Sequence, residues 1–346
     1  MNLDRLRQVA KEVHIEHKNF EPVRRNDRVM IIDGLNLFIR VFSAVPSLND
    51  NGTHVGGVTG FLRSLALLLR THKPTRCIIT FDGKGGSVRR KKIFSEYKGN
   101  RSVKTSFNRY EEFDGIEDEQ ESMRIQFQRV IEYLRILPIN LIAIDNIEAD
   151  DSIAYITTQL LTDAKQIIIV STDRDFLQLC DERVSVWSPV RKKLYTPEVL
   201  QEEYLVHANN YLIYRVITGD SGDNIPGIRG VGLKSLVKCF PQLLKEEEVS
   251  VDSILESCEG KSKKIFKNIL TGKDDIIRNY KLMQLKEPDI YGKARMLLID
   301  LVKQPNHSYN IHEFKRMFMD DRMFNVIKDV DTWLRTSFGY LSVIPE

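Results

Sequence analysis

Four short apolar runs constrain this chain more than any other feature: RVMIID (Arg28 to Asp33), CIITFD (Cys77 to Asp82), NLIAID (Asn140 to Asp145) and QIIIVST (Gln166 to Thr172). Their β-branched character without polar alternation predicts strands buried on both faces. Between and after them, GLNLFIRVF, GVTGFLRSLALLLRTH, SMRIQFQRVIEYLRIL, EADDSIAYITTQLL and RDFLQLC have helical patterning, and Pro74 ends the second of these. Strands alternating with helices predict an α/β fold with a mainly parallel sheet flanked by helices.

Acidic residues fall where strands or loops hand over to helices. Asp33 and Asp82 end two of the runs, Glu148, Asp150 and Asp151 open the helix after a third, and Asp173 and Asp175 follow the fourth. Asp220 and Asp223 lie in GDSGDNIPG. Parallel sheets gather ligands at the carboxyl ends of their strands, so these groups share one edge of the predicted sheet. Taken singly, Asp33, Asp82 and Asp173 read as helix N-caps. Taken together, converging carboxylates repel one another and call for hard divalent cations, which can support phosphodiester hydrolysis. An EF-hand fits poorly, because counting from Asp220 puts Val231 where the bidentate Glu belongs.

Two other stretches bear on partners. KGGSVRRKKIFSEYKGNRSVKTSFNRY emerges from the run carrying Asp82 and is basic with interleaved aromatics, then turns acidic in EEFDGIEDEQE. Such a stretch is usually a solvated face, but above a carboxylate cluster it suits a polyanion. Farther on, GIRGVGLKSLVKCF places Gly227, Gly230 and Gly232 ahead of a helix bearing Lys234, Ser235 and Lys238, a turn whose backbone can approach a phosphate. The net charge of +3 is too near balance to argue for nucleic acid by itself. Cys77, Cys180, Cys239 and Cys258 have no zinc or disulfide spacing, and no run is long enough to span a membrane; a cytoplasmic protein is expected. His14 and His17 lack acidic or Cys partners and read as surface residues.

IIDGLN, ITFDG, EYKGNR, EADD, STDRD and GDSGDNIPGIRGVG, in this order, resemble the 5′ nuclease or flap endonuclease family: the 5′-3′ exonuclease domain of bacterial DNA polymerase I and its free-standing phage relatives. The resemblance implies a PIN-like fold with a helical arch and a helix-hairpin-helix, and hydrolysis of 5′ flaps, nicks and RNA primers by two or more Mg²⁺ or Mn²⁺ ions. It assigns Asp33, Asp82, Glu148, Asp150 and Asp151 to a first metal cluster and Asp173, Asp175, Asp220 and Asp223 to a second. It implies that Lys98 contacts the scissile phosphate with help from Arg90 and Arg101, that Tyr97 stacks on a base, and that Gly227, Gly230, Gly232, Lys234 and Ser235 grip the duplex beside a K⁺ ion. The expected divisions are a basic helical extension at 1–27, a nuclease core at 28–203 with an arch at 84–118, a hairpin region at 204–290 and a helical remainder at 291–346. Branched or nicked DNA is the expected partner, with RNA-DNA hybrid and a replisome protein such as a single-strand-binding protein as further ones, and a monomer in a bacterial or phage-infected cytoplasm is expected. The competing readings are a branched-DNA-binding protein without catalysis and a PIN-type ribonuclease, the latter disfavoured by the glycine hairpin.

Overall fold

The computed structural model describes residues 23–101, 108 and 113–345; most of the expected extension, at 1–22, and arch residues 102–107 and 109–112 lie outside the described residues. The sheet has six strands in the order β3-β2-β1-β4-β5-β6: β1 Arg28–Asp33, β2 Arg76–Asp82, β3 Asn140–Ile144, β4 Gln166–Val170, β5 Val184–Ser188 and β6 Lys193–Tyr195. Pairing is parallel from β3 through β5, and only β6 runs antiparallel. The sequence pattern misses β5 and the edge strand β6, and the predicted helix after β4 is a 3₁₀ segment at Arg174–Leu179.

Side chains alternate across the sheet with period two. Val29 and Ile31 of β1 join one core, Met30 and Ile32 the other. The Met30 face is covered by α1 (Gly34–Ala44), α2 (Gly56–His72) and α4 (Ile116–Leu134), and by two C-terminal helices at Ile311–Asp320 and Val330–Ser337. The Val29 face is covered by α5 (Ala149–Tyr155), which continues as a π turn at Ile156–Leu160, and by helices from Pro197 to Lys303. A short helix, α3 (Val88–Ile93), follows β2.

Because β1 lies between β2 and β4, the chain runs outward through β2 and β3 and then returns to the other side of β1. The crevice at the carboxyl ends of β1 and β4 is therefore the switch point where doubly wound sheets bind ligands. Asp33 closes β1, and Asp173 lies three residues beyond Val170, the last residue of β4.

Candidate active site

Each strand-end acid is tied to backbone in its own way. Asp33 accepts from the Asn36 amide at 3.1 Å, capping α1, and its second oxygen accepts from the Ser171 hydroxyl at 3.1 Å. Asp82 accepts from the Ala149 amide at 2.7 Å, so the end of β2 holds the first turn of α5. Asp173 accepts from the Asp175 amide at 2.8 Å. Asn36 binds the end of β4 through the Thr172 amide at 3.2 Å and hydroxyl at 2.9 Å. The cap and the cluster readings thus coexist in the same residues: the cap fixes one oxygen and leaves the carboxylate at the crevice.

The acids divide by what surrounds them. Arg90, only 3% exposed, donates to both Glu148 and Asp151 and to the Leu282 carbonyl. Arg89 adds a further bond to Asp151 and pairs with Asp289. Lys98 Nζ reaches Glu148 Oε1 at 2.6 Å. Arg215 pairs with Asp175 at 2.9 Å and with Asp220. By contrast, no salt bridge among the described residues reaches Asp33, Asp82, Asp150 or Asp173.

Burial and neighbouring acids dominate the electrostatics, even at Asp175, which has a basic partner. Burial, with repulsion from Asp173 and Asp82, pushes the Asp33 carboxyl up to about 7. Burial, with Asp173 and Asp33 nearby, raises Asp150 far above the ordinary range, and burial, with Asp223 and Asp220, raises Asp173. Asp175 is pushed up to about 7 by burial and Asp173, against the pull of Arg215. Burial raises Glu148 as well, but Arg90 and Lys98 outweigh it and hold the group below its usual value. Lys98 is disfavoured as a cation by burial, yet Asp150, Glu148 and Asp223 keep it more firmly protonated than a free lysine.

Four crowded carboxylates that no salt bridge among the described residues reaches suit a hard, oxygen-seeking cation. No group of three or more described acids is already arranged to hold a metal ion. The two observations agree physically, because repulsion acts over longer distances than the 2–2.6 Å or so of a metal-oxygen bond. Asp33, Asp82, Asp150 and Asp173 thus fit the group the acids call for, with Glu148, Asp175, Asp220 and Asp223 beside them.

Several expectations change. Asp151 has both oxygens engaged by arginines, so in this structure it anchors Arg90 and is not open for a cation. Arg90 itself is enclosed among acids and backbone and holds the cluster together instead of facing a phosphate. Tyr97 is 2% exposed with its hydroxyl 3.4 Å from Glu148, so its ring cannot stack on a base in this conformation. Asp173 stands near enough to Asp33 for the two carboxylates to repel each other, so the two expected clusters adjoin. The Arg101 side chain lies outside the described residues.

The glycine hairpin also separates into parts. A Cβ on Gly227 would stand 2.1 Å from the Thr218 carbonyl oxygen, so that glycine serves close packing within the protein. Gly230 has φ +77° and supplies the left-handed turn. Gly232 opens into free space, the Ser235 hydroxyl is spent on the Gly232 backbone at 2.8 and 3.1 Å, and Lys234 is exposed.

Arg215, Arg89, Asn36 and Ser171 are partners the sequence reading does not name. Arg215 stands one helical turn before Gly219 and five residues before Asp220, and that proximity was the available signal.

The sequence profile of the 5′-3′ exonuclease N-terminal resolvase-like domain matches residues 28–205. A 5′-3′ exonuclease of Aquifex aeolicus (strain VF5) is 29% identical over 307 residues, covering 88% of this chain and 96% of that protein. DNA polymerase I of Caldicellulosiruptor bescii is 31% identical over 254 residues, which are 71% of this chain and 27% of the polymerase. The flap endonuclease of bacteriophage T5, solved as a complex with DNA and metal ions, superposes with a TM-score of 0.62 at 21% identity, covering 87% of this chain and 100% of that one. At that identity the superposition speaks for the fold, and it bears out the PIN-like class. The profile spans more than half of the 346 residues, and the chain belongs to the 5′-3′ exonuclease family.

Proposed function

We propose that the chain is a structure-selective, Mg²⁺- or Mn²⁺-dependent 5′ nuclease acting on flaps, nicks and RNA primers in DNA replication or repair. The observation that carries this reading is the set of crowded acids without a salt bridge at the switch point of the sheet, with the Lys98 ammonium beside them. Divalent cations held there would activate water as the nucleophile and would stabilise the leaving oxygen. Asp33, Asp82, Glu148 and Asp150 would hold a first ion and Asp173, Asp175, Asp220 and Asp223 a second. Lys98 keeps its positive charge at the mouth of the cluster and offsets charge building on the phosphate. The exposed Gly232 backbone and Lys234 suit sequence-independent contact with duplex phosphates, with a K⁺ ion at the hairpin.

The domain division at 28–203, 204–290 and 291–346, the extension at 1–27, a monomeric state, a cytoplasmic location and recruitment by a replisome protein belong to the same proposal. No described helix is long and apolar enough to cross a membrane.

A 5′-flap substrate incubated with Mg²⁺, with Mn²⁺ and with EDTA tests the reading. Cleavage with either ion and none with EDTA is expected. Tight binding without cleavage in any divalent metal would favour the branched-DNA-binding alternative.

A further inference from the structure

Lys98 and the acids Asp220 and Asp223 lie on two loops that no strand joins. Three hydrogen bonds close them together. The Lys98 amide donates to the Asp223 carbonyl at 2.9 Å, the Asn224 side-chain amide to the Glu96 carbonyl at 2.9 Å, and the Asn100 side-chain amide to the Ser221 carbonyl at 2.8 Å. Both Lys98 and Asn224 have left-handed backbones, with φ of 54° and 58°. Asparagine tolerates that conformation; lysine does not favour it and holds it only where its surroundings do.

We propose that Asn100 and Asn224 form a clip that positions Lys98. They touch no reacting atom; they are positioning residues, and the proposal rests on the nuclease reading given above. The direction of a side chain follows its backbone dihedrals, so releasing the left-handed turn swings Nζ away from Glu148, which it now meets at 2.6 Å. The clip also makes the aim of Lys98 depend on the loop carrying Asp220 and Asp223, so that the ammonium and those carboxylates move as one piece.

Two substitutions separate the clip from general stability. Asn100→Ala removes one bond at an exposed position, and Asn224→Gly removes the other while keeping the left-handed backbone available. The double variant should lower the single-turnover rate on a 5′ flap about tenfold, with the dissociation constant for DNA within about twofold. In a Lys98→Ala background the same pair should change the rate by no more than about twofold, because the group they aim is gone. An equal fold-loss in both backgrounds, or no loss in the parent chain, overturns the proposal.

Hydrogen exchange reads the clip without activity. The peptide spanning Glu96 to Asn100 should exchange at least about tenfold faster in the double variant, since the Lys98 amide loses its protected partner. Unchanged exchange overturns the clip. A parent chain that cleaves no flap with any divalent ion would refute the nuclease reading, and the exchange experiment would still decide whether the clip exists.

Discussion

Glu148 receives two cations that differ in what encloses them. Arg90 is 3% exposed and its donors are all directed at carboxylates and the Leu282 carbonyl, whereas the Lys98 side chain is 15% exposed at the mouth of the cluster. Removing one partner from a buried ion pair leaves an uncompensated charge, so Arg90→Ala should cost about 3–5 kcal/mol, measured by urea unfolding. Lys98→Ala should cost less stability and instead lower the single-turnover rate by about 10²–10³, the scale of losing one donor to a developing oxyanion. Asp33 and Asp175 give the site a pH signature: both carboxyls titrate near 7 when folded, above their ordinary 3.8. A raised folded value means that the native state holds the proton more tightly. Their contribution is therefore fully present below the unfolded value and is lost as pH rises from about 4 to 7. In EDTA, thermal melts should show this loss, and added Mg²⁺ should raise the melting temperature more above pH 7 or so than near pH 5, because the cation binds the ionised form. No gain from Mg²⁺ at either pH would contradict the cluster assignment. At this scale the acids were legible because most stand where a strand hands over to a helix, while the burial of Tyr97 was not: an aromatic within a basic stretch reads the same whether it faces solvent or core.

The element that carries two separable roles is the hairpin between α7 (Tyr211–Thr218) and α8 (Leu233–Cys239). Its three glycines look alike in GIRGVG and meet different surroundings. Gly227→Ala drives a Cβ into the Thr218 backbone at 2.1 Å, where nothing flexible can yield, and belongs with the severe class of about 3 kcal/mol or more. Gly230→Ala has room, its nearest neighbour being Asn268 Nδ2 at 3.5 Å, but must adopt φ +77° and should cost about 1–2 kcal/mol. Gly232→Ala meets nothing within 4 Å and should leave the melting temperature within a degree or two while weakening duplex binding, if its amide approaches a phosphate. Equal DNA affinity for Gly232→Ala and the parent chain would remove the residue from the grip. The sequence displays the glycines but not their neighbours, which come from Thr218 and Asn268 on other elements. The same limit hid β5 and β6: VSVWS lacks the unbroken apolar run of the four predicted strands and KLY is very short, so neither announces a strand until its neighbour is in place beside it.

At the scale of the molecule, the strand that ends at Asp33 is held from both sides by segments distant in sequence. Met30 and Ile32 face a core that includes Phe314, Phe318, Leu334 and Phe338 from the last two helices. Arg129 and Tyr133 of α4 bind Asp321 at 2.9 and 2.7 Å, fastening those helices to the sheet layer. Read from sequence, the part from about Lys261 on offers mixed polar and apolar helices without chemistry, and nothing there says which face they cover. The alternation of Val29 and Ile31 against Met30 and Ile32 requires two covering layers, and the helical patterns in the sequence do not say which layer each helix joins. Since the C-terminal layer completes that core, Phe338→Ala, at 0% exposure, should destabilise by about 3–5 kcal/mol in urea unfolding. Val343→Ala, at 77% exposure, should stay within about 0.5 kcal/mol. The Phe338 ring packs on Trp333 and Val343 is exposed, so at a temperature where both variants are folded their flap-cleavage rates should match the parent's. A rate loss in Phe338→Ala under those conditions would show that the C-terminal layer sets the position of Asp33 as well as the stability of the sheet.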